Sequence, residues 1–189
     1  MIAIFGGSFN PVHNGHLGLA RWIVSHGYAD RVWLMVSPQN PLKIAPDLAD
    51  EKLRLRWTTM VCAGVDGVES SDFEFDLPRP SYTWQTLKAL QKTYPQENFS
   101  LVIGADNWLC FDCWARHDWI LKNFPLLVYP RENCEISPQN LPANVTIMSA
   151  PLFPFSSTEI RRRLRAQKDV SAMLPESVLN DIISSKTYL

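Results

Sequence analysis

Four short runs that are apolar on both faces constrain the fold of this 189-residue chain more than any other feature: residues 2–5, 32–36, 99–103 and 126–129. Each is closed by a glycine, a serine or a proline. A strand covered on one face alternates apolar with polar residues, whereas a strand apolar throughout must be covered on both, as in a parallel sheet between two layers of helices. Helix-like spacing fills the intervals at residues 16–25, 51–62, 82–93 and 106–121, the last divisible into two helices. Two more helices are expected, one from Ser156-Ser157-Thr158-Glu159, where hydroxyls can cap, and one after Pro175. Strand alternating with helix predicts one Rossmann-like, doubly wound α/β domain over residues 1–189, with a mainly parallel sheet and C-terminal helices.

Composition narrows the function by exclusion. Eighteen basic residues against nineteen acidic ones give a formal charge of −1, so no overall field draws the chain to nucleic acid, and a polyanionic ligand must be met by a local cluster. The five residues before the first glycines are too few for a signal-peptide core or a membrane span, so a cytoplasmic protein without membrane contact is expected. Cys110 and Cys113 form a lone C-x-x-C pair, read as ordinary thiols because a zinc site needs a second pair or nearby histidines.

The chemistry is concentrated where the first run ends, at Gly6-Gly7-Ser8-Phe9-Asn10-Pro11-Val12-His13-Asn14-Gly15-His16. In an open parallel sheet this turn lies at the carboxyl end of a strand, where ligands bind. Gly6 and Gly7 let backbone amides approach a phosphate, Ser8 adds a donor, and the following helix start contributes more amides and a favourable dipole. His13 and His16, three residues apart, can face one bound group; as a metal pair they would lack further ligands, and no metal-binding residue is expected. The turn has neither the G-x-G-x-x-G spacing nor the lysine of a P-loop. Far along the chain, the hydroxyls and amides of Ser156, Ser157 and Thr158 and the planar fork of Arg161 are suited to phosphate oxygens, while Arg162 and Arg163 read as surface charges.

Gly6-Gly7-Ser8-Phe9-Asn10-Pro11 with His13-x-Gly15-His16, followed 140 residues after His16 by Ser156-Ser157-Thr158-Glu159-Ile160-Arg161, resembles the H-x-G-H nucleotidyltransferase superfamily. Within it the chain most resembles the bacterial nicotinate-nucleotide adenylyltransferases, and the likeness runs over nearly the whole length. Pro41-Leu42-Lys43 is similar to a proline-rich loop that carries a basic residue to the phosphates, which implies a catalytic part for Lys43 beside His16, His13 and Arg161. The same resemblance implies an ATP site made of Gly6, Gly7, Ser8, Phe9, Gly15, Gly104, Asp106, Ser156, Ser157 and Thr158. Ser81-Tyr82-Thr83 with Thr86-Leu87, and Ile103-Gly104-Ala105-Asp106 followed by Trp114, imply an acceptor site with Asn40, Tyr82 and Thr83, and with Trp114 stacked on a pyridine ring. Two positions depart from the pattern: Asn10 stands where many relatives have aspartate, and Phe155 where an aliphatic residue is usual.

The implied reaction is attack of the nicotinate mononucleotide 5′-phosphate on the α-phosphorus of ATP, with Mg²⁺ on the phosphates as cofactor. An ionised phosphate needs no general base, so the protein's task is alignment and charge neutralisation by a positive collar of His13, Lys43 and Arg161, with His16 foremost. ATP and a pyridine mononucleotide are the expected partners, with no nucleic acid or membrane and room for a homo-oligomer. The competing readings are a nicotinamide mononucleotide, phosphopantetheine or cytidylyl-transfer enzyme, a class I aminoacyl-tRNA synthetase, for which the chain is short, and a noncatalytic nucleotide-binding module.

Overall fold

The apolar runs become strands β1 (Ile2–Gly7), β2 (Arg31–Val36), β4 (Phe99–Gly104) and β5 (Leu126–Tyr129), joined by β3 (Val68–Ser71) and β6 (Val145–Ile147), in a computed structural model that describes residues 1–39, 47–137, 139 and 141–189. The six strands make one sheet in the order β3-β2-β1-β4-β5-β6, with all five pairings parallel. That is the doubly wound order of dinucleotide-binding folds. β3 and β6 are its edges, short and partly polar, which is why a search for apolar runs passes over them.

The continuous apolar character of the inner strands has the expected cause. Ala3 and Phe5 of β1 pack into one core layer while Ile2 and Ile4 pack into the other, and β2 divides the same way between Val32, Leu34 and Val36 on one side and Met35 on the other. Helices α1 (Asn14–Ser25), α2 (Glu51–Cys62), α6 (Ser157–Arg165) and α7 (Glu176–Ser185) cover the first layer through Leu19, Ile23, Trp57, Ile160 and Ile182. α3 (Thr83–Thr93) and α5 (His117–Asn123) cover the second through Leu87, Leu90 and Ile120. The segment expected to break does so, into α4 (Ala105–Trp108), a 3-10 turn at Phe111–Cys113 and α5.

One detail of register positions the site. β1 pairs with β2 all the way to Gly7↔Val36, and β4 pairs with β5 to Gly104↔Tyr129, but β1 and β4 are paired only up to Ile4↔Leu101. The two halves of the sheet therefore part at their carboxyl ends, at the point where the winding reverses. No helix among the described residues is long and apolar enough to cross a membrane.

Candidate active site

Above that parting lie two hollows of about 470 and 420 Å³ that share His13, His16, Asp106, Arg131 and Ser156 as walls. The turn after β1 forms their floor. A Cβ on Gly7 would meet the Phe9 ring at 3.0 Å, so any larger residue there would have to displace that ring. A Cβ on Gly6 would meet nothing within 4 Å, so the space above it belongs to the cleft. Phe9 is buried and holds a left-handed backbone, φ 45°, which turns the chain toward α1.

Two buried side chains fix this turn, Arg54, which no motif marks, and Asn10 of the turn itself. Arg54 of α2, only 1% exposed, donates from Nη1 to the Ser8 carbonyl at 2.6 Å and the Ser37 carbonyl at 2.8 Å. It also donates from Nε to Ala49 at 2.8 Å and from Nη2 to Pro38 at 3.2 Å. One guanidinium thus ties the ends of β1 and β2 to the start of α2; burial lowers its pKa, but an arginine remains charged throughout the working range. Asn10 donates from Nδ2 to the Asp47 carbonyl at 2.9 Å, while its Oδ1 accepts from the Ala49 amide and the Tyr188 hydroxyl. The departure from aspartate is thereby explained: an amide supplies the donor that a carboxylate lacks.

His13 and His16 form a reciprocal cap at the start of α1. The His13 Nδ1 accepts from the Gly15 amide and the His16 Nδ1 accepts from the His13 amide, both at 3.2 Å, and the rings stack with centroids 3.7 Å apart. A neutral imidazole that accepts at Nδ1 carries its hydrogen on Nε2, so the hydrogen of each ring sits on Nε2. Burial and the Arg131 guanidinium push the His13 imidazole down to about 3. His13 therefore enters the cleft as a neutral donor, not as one of the charges expected of a positive collar.

The distant second motif is docked onto the first. Ser156 caps α6, its Oγ accepting from the Glu159 amide at 3.1 Å; Ser157 Oγ donates to the Pro11 carbonyl at 3.0 Å; Arg161 Nη1 donates to the Asn10 carbonyl at 2.7 Å. The buried Arg161 Nε has no partner. Both helix N-termini, with their partial positive charge, thus open on one cleft, which Thr158 also lines. Arg162 and Arg163 turn away and bind Glu159, holding its carboxyl down at about 2.

On the opposite wall a Cβ at Gly104 would come within 2.2 Å of the Asp106 carboxylate. Asp106 lies 3.7 Å from Arg131, whose Nη2 donates to the Tyr129 hydroxyl at 2.8 Å. Arg131 is a cleft residue that motif reading missed, although its place just past the end of β5 follows the strand-end rule. Thr83, Thr86, Ser81 and Trp114 line the far end, together with Glu74, a third missed residue, on a 3-10 turn at Phe73–Asp76. Gly15 faces the hollow beside Phe153. Tyr82, at the N-cap of α3, is exposed and not among the cleft walls, and Asn40 and Lys43 lie outside the described residues.

Residues 4–163 match the family model described as cytidylyltransferase-like. The chain is 46% identical over 175 residues to a Bacteroides thetaiotaomicron protein named "Probable nicotinate-nucleotide adenylyltransferase", covering 93% of this chain and 87% of that protein. A Bacteroides fragilis protein of the same name is 44% identical over 180 residues, covering 95% and 90%. Among solved structures, the Plasmodium falciparum nicotinic acid mononucleotide adenylyltransferase complexed with NaAD superposes with a TM-score of 0.81 at 18% identity, covering 99% of this chain and 96% of that one. At that identity the superposition speaks for the fold alone.

Proposed function

The chain belongs to the cytidylyltransferase-like family and, within it, to the nicotinate-nucleotide adenylyltransferases, and from that premise we propose how its cleft transfers AMP from ATP to nicotinate mononucleotide. The observation that carries the reading is the convergence of His13, His16, Arg161 and two helix N-termini on the crevice at the reversal of the sheet. An oxygen of the acceptor's 5′-phosphate attacks the α-phosphorus in line; the bond from that phosphorus to the bridging oxygen breaks, and pyrophosphate leaves with the electron pair. The acceptor phosphate is already ionised, so catalysis consists of alignment and stabilisation of the charge gathering on the leaving group.

The Nε2–H groups of His13 and His16 supply neutral donors to the phosphates, Arg161 supplies charge and a planar fork, and the α1 and α6 amides complete the cradle. Lys43, outside the described residues, would add a second cation. Gly104 leaves room for the Asp106 carboxylate at the nucleoside end, and Trp114 would stack on the pyridine with Thr83 nearby. Mg²⁺ would be the cofactor that comes with ATP and would supply positive charge at its phosphates. A cytoplasmic location belongs to the same proposal, since four free thiols suit a reducing compartment.

The test is pyrophosphate release from ATP and Mg²⁺ with nicotinate mononucleotide, nicotinamide mononucleotide or phosphopantetheine as acceptor. Preference for the first is expected. Preference for either of the others would move the substrate, and no release with any of them, from protein shown to bind ATP, would overturn the reading.

A further inference from the structure

Glu74 has no role in the transfer described above, yet it is the most unusual side chain in the cleft. It is 93% buried, since only 7% of its surface is exposed, and it faces the acceptor end. Its Oε1 accepts from the Thr86 hydroxyl at 2.8 Å, while its Oε2 is buried without a partner. The Ser81 hydroxyl beside it is also buried and unpartnered. Ser37 after β2 and Ser81 before α3 lie near the carboxyl as well, but of the three hydroxyls only Thr86 within α3 is placed to donate a well-formed hydrogen bond to it. No charged side chain among the described residues contributes, and burial raises its pKa. A buried carboxyl oxygen left bare costs stability unless a ligand completes it.

The same corner favours an anion from a second source. Tyr82, the N-cap of α3, makes no side-chain cap bond, which leaves the first turn of an 11-residue helix uncapped next to Thr83 and Ser81. An anionic carboxylate is stabilised there by amides and dipole. It would be repelled by an ionised Glu74 and held by a protonated one, as when two carboxyls share a site and one keeps its proton.

Resting on the proposed acceptor, we propose that Glu74 and the pyridine carboxylate of nicotinate mononucleotide share one proton, so that binding the acid takes a proton from solvent while binding the amide does not. Glu74 is then the residue that reads the acceptor's ring substituent. The proton stays between the two carboxyls during transfer and returns to solvent when the product leaves.

The test is calorimetric binding of each mononucleotide, without ATP, in buffers of different ionisation enthalpy at alkaline pH. Both acceptors carry the same phosphate, so any excess proton uptake belongs to the ring substituent. The expected result is close to one extra proton for the acid, and an affinity for the acid that falls about tenfold per pH unit relative to the amide. Glu74→Gln, which keeps the acceptor for Thr86 and a donor for the ligand but cannot titrate, should bind the acid with no extra proton. Equal uptake for acid and amide in the wild type, or undiminished uptake in a folded Glu74→Gln, overturns the inference and leaves the function standing. No binding of nicotinate mononucleotide at all overturns both, and the wild-type comparison decides even if the variant does not fold.

Discussion

The two ends of the cleft are built on opposite principles. At the phosphate end, the hydrogen bonds of Arg54 and Asn10 are made within the chain itself, all but the Tyr188 contact to backbone, and even the two histidines use their Nδ1 atoms to cap α1. At the acceptor end, Glu74, Ser81 and Trp114 each keep a buried polar atom without a partner. The first end is mostly set before any ligand arrives, with Arg161 Nε as its buried atom still without a partner, so its residues bear chiefly on stability and on the transition state. The second is completed by a ligand, so its residues bear on which acceptor is held.

The largest expected effect is at the set end. Arg54→Met leaves four backbone carbonyls without their donor and should lower unfolding free energy by about 3–5 kcal/mol, measured by denaturant titration, with a raised KM for ATP. A variant as stable as the wild type would erase the contrast between the two ends. His16→Ala should keep the fold, apart from one lost cap bond, while kcat drops by about 10²–10³ in pyrophosphate-release assays, the effect of removing one preorganised donor. Turnover within a few-fold of wild type would remove His16 from the mechanism.

Trp114→Ala sharpens the comparison from the other side. It should raise the acceptor KM roughly tenfold, a loss of about 1–2 kcal/mol, with the ATP KM unchanged. A matched rise in both would show the two ends to be one unit.

The last is a pH effect. His13 titrates near 6.5 when unfolded and at about 3 when folded, so its contribution to stability is full above about 6.5 and is lost as the pH falls toward 3. The slope from this one proton is at most about 1.4 kcal/mol per pH unit, and it should vanish in His13→Asn.

The set end was largely legible in sequence because its parts fall in two short contiguous stretches: a buried strand, two glycines and two histidines three residues apart in the first, and a capped helix start carrying Arg161 in the second. The inner strands and α2 were legible for the same reason, since burial on both faces and a 3.6-residue period are local patterns. What escaped depends on tertiary burial. Arg54 sits in Glu51–Cys62 beside Lys52 and Arg56, where a guanidinium reads as a solvated helix charge until the ends of β1 and β2 close over it. Glu74, in a polar stretch after an edge strand, reads as surface until α3 covers it. His13 was read as a charge because spacing reveals a neighbour but not the desolvation that keeps the ring neutral.

The most direct test of the transfer mechanism is its stereochemistry at the α-phosphorus, followed with ATP made chiral there by sulfur substitution. The donors on His13 and His16 put hydrogen on Nε2, which suits hydrogen bonding to phosphate and not attack on it, so a single in-line displacement and inversion of configuration are predicted. Retention would reveal two displacements through a covalent adenylyl-enzyme and would contradict the account.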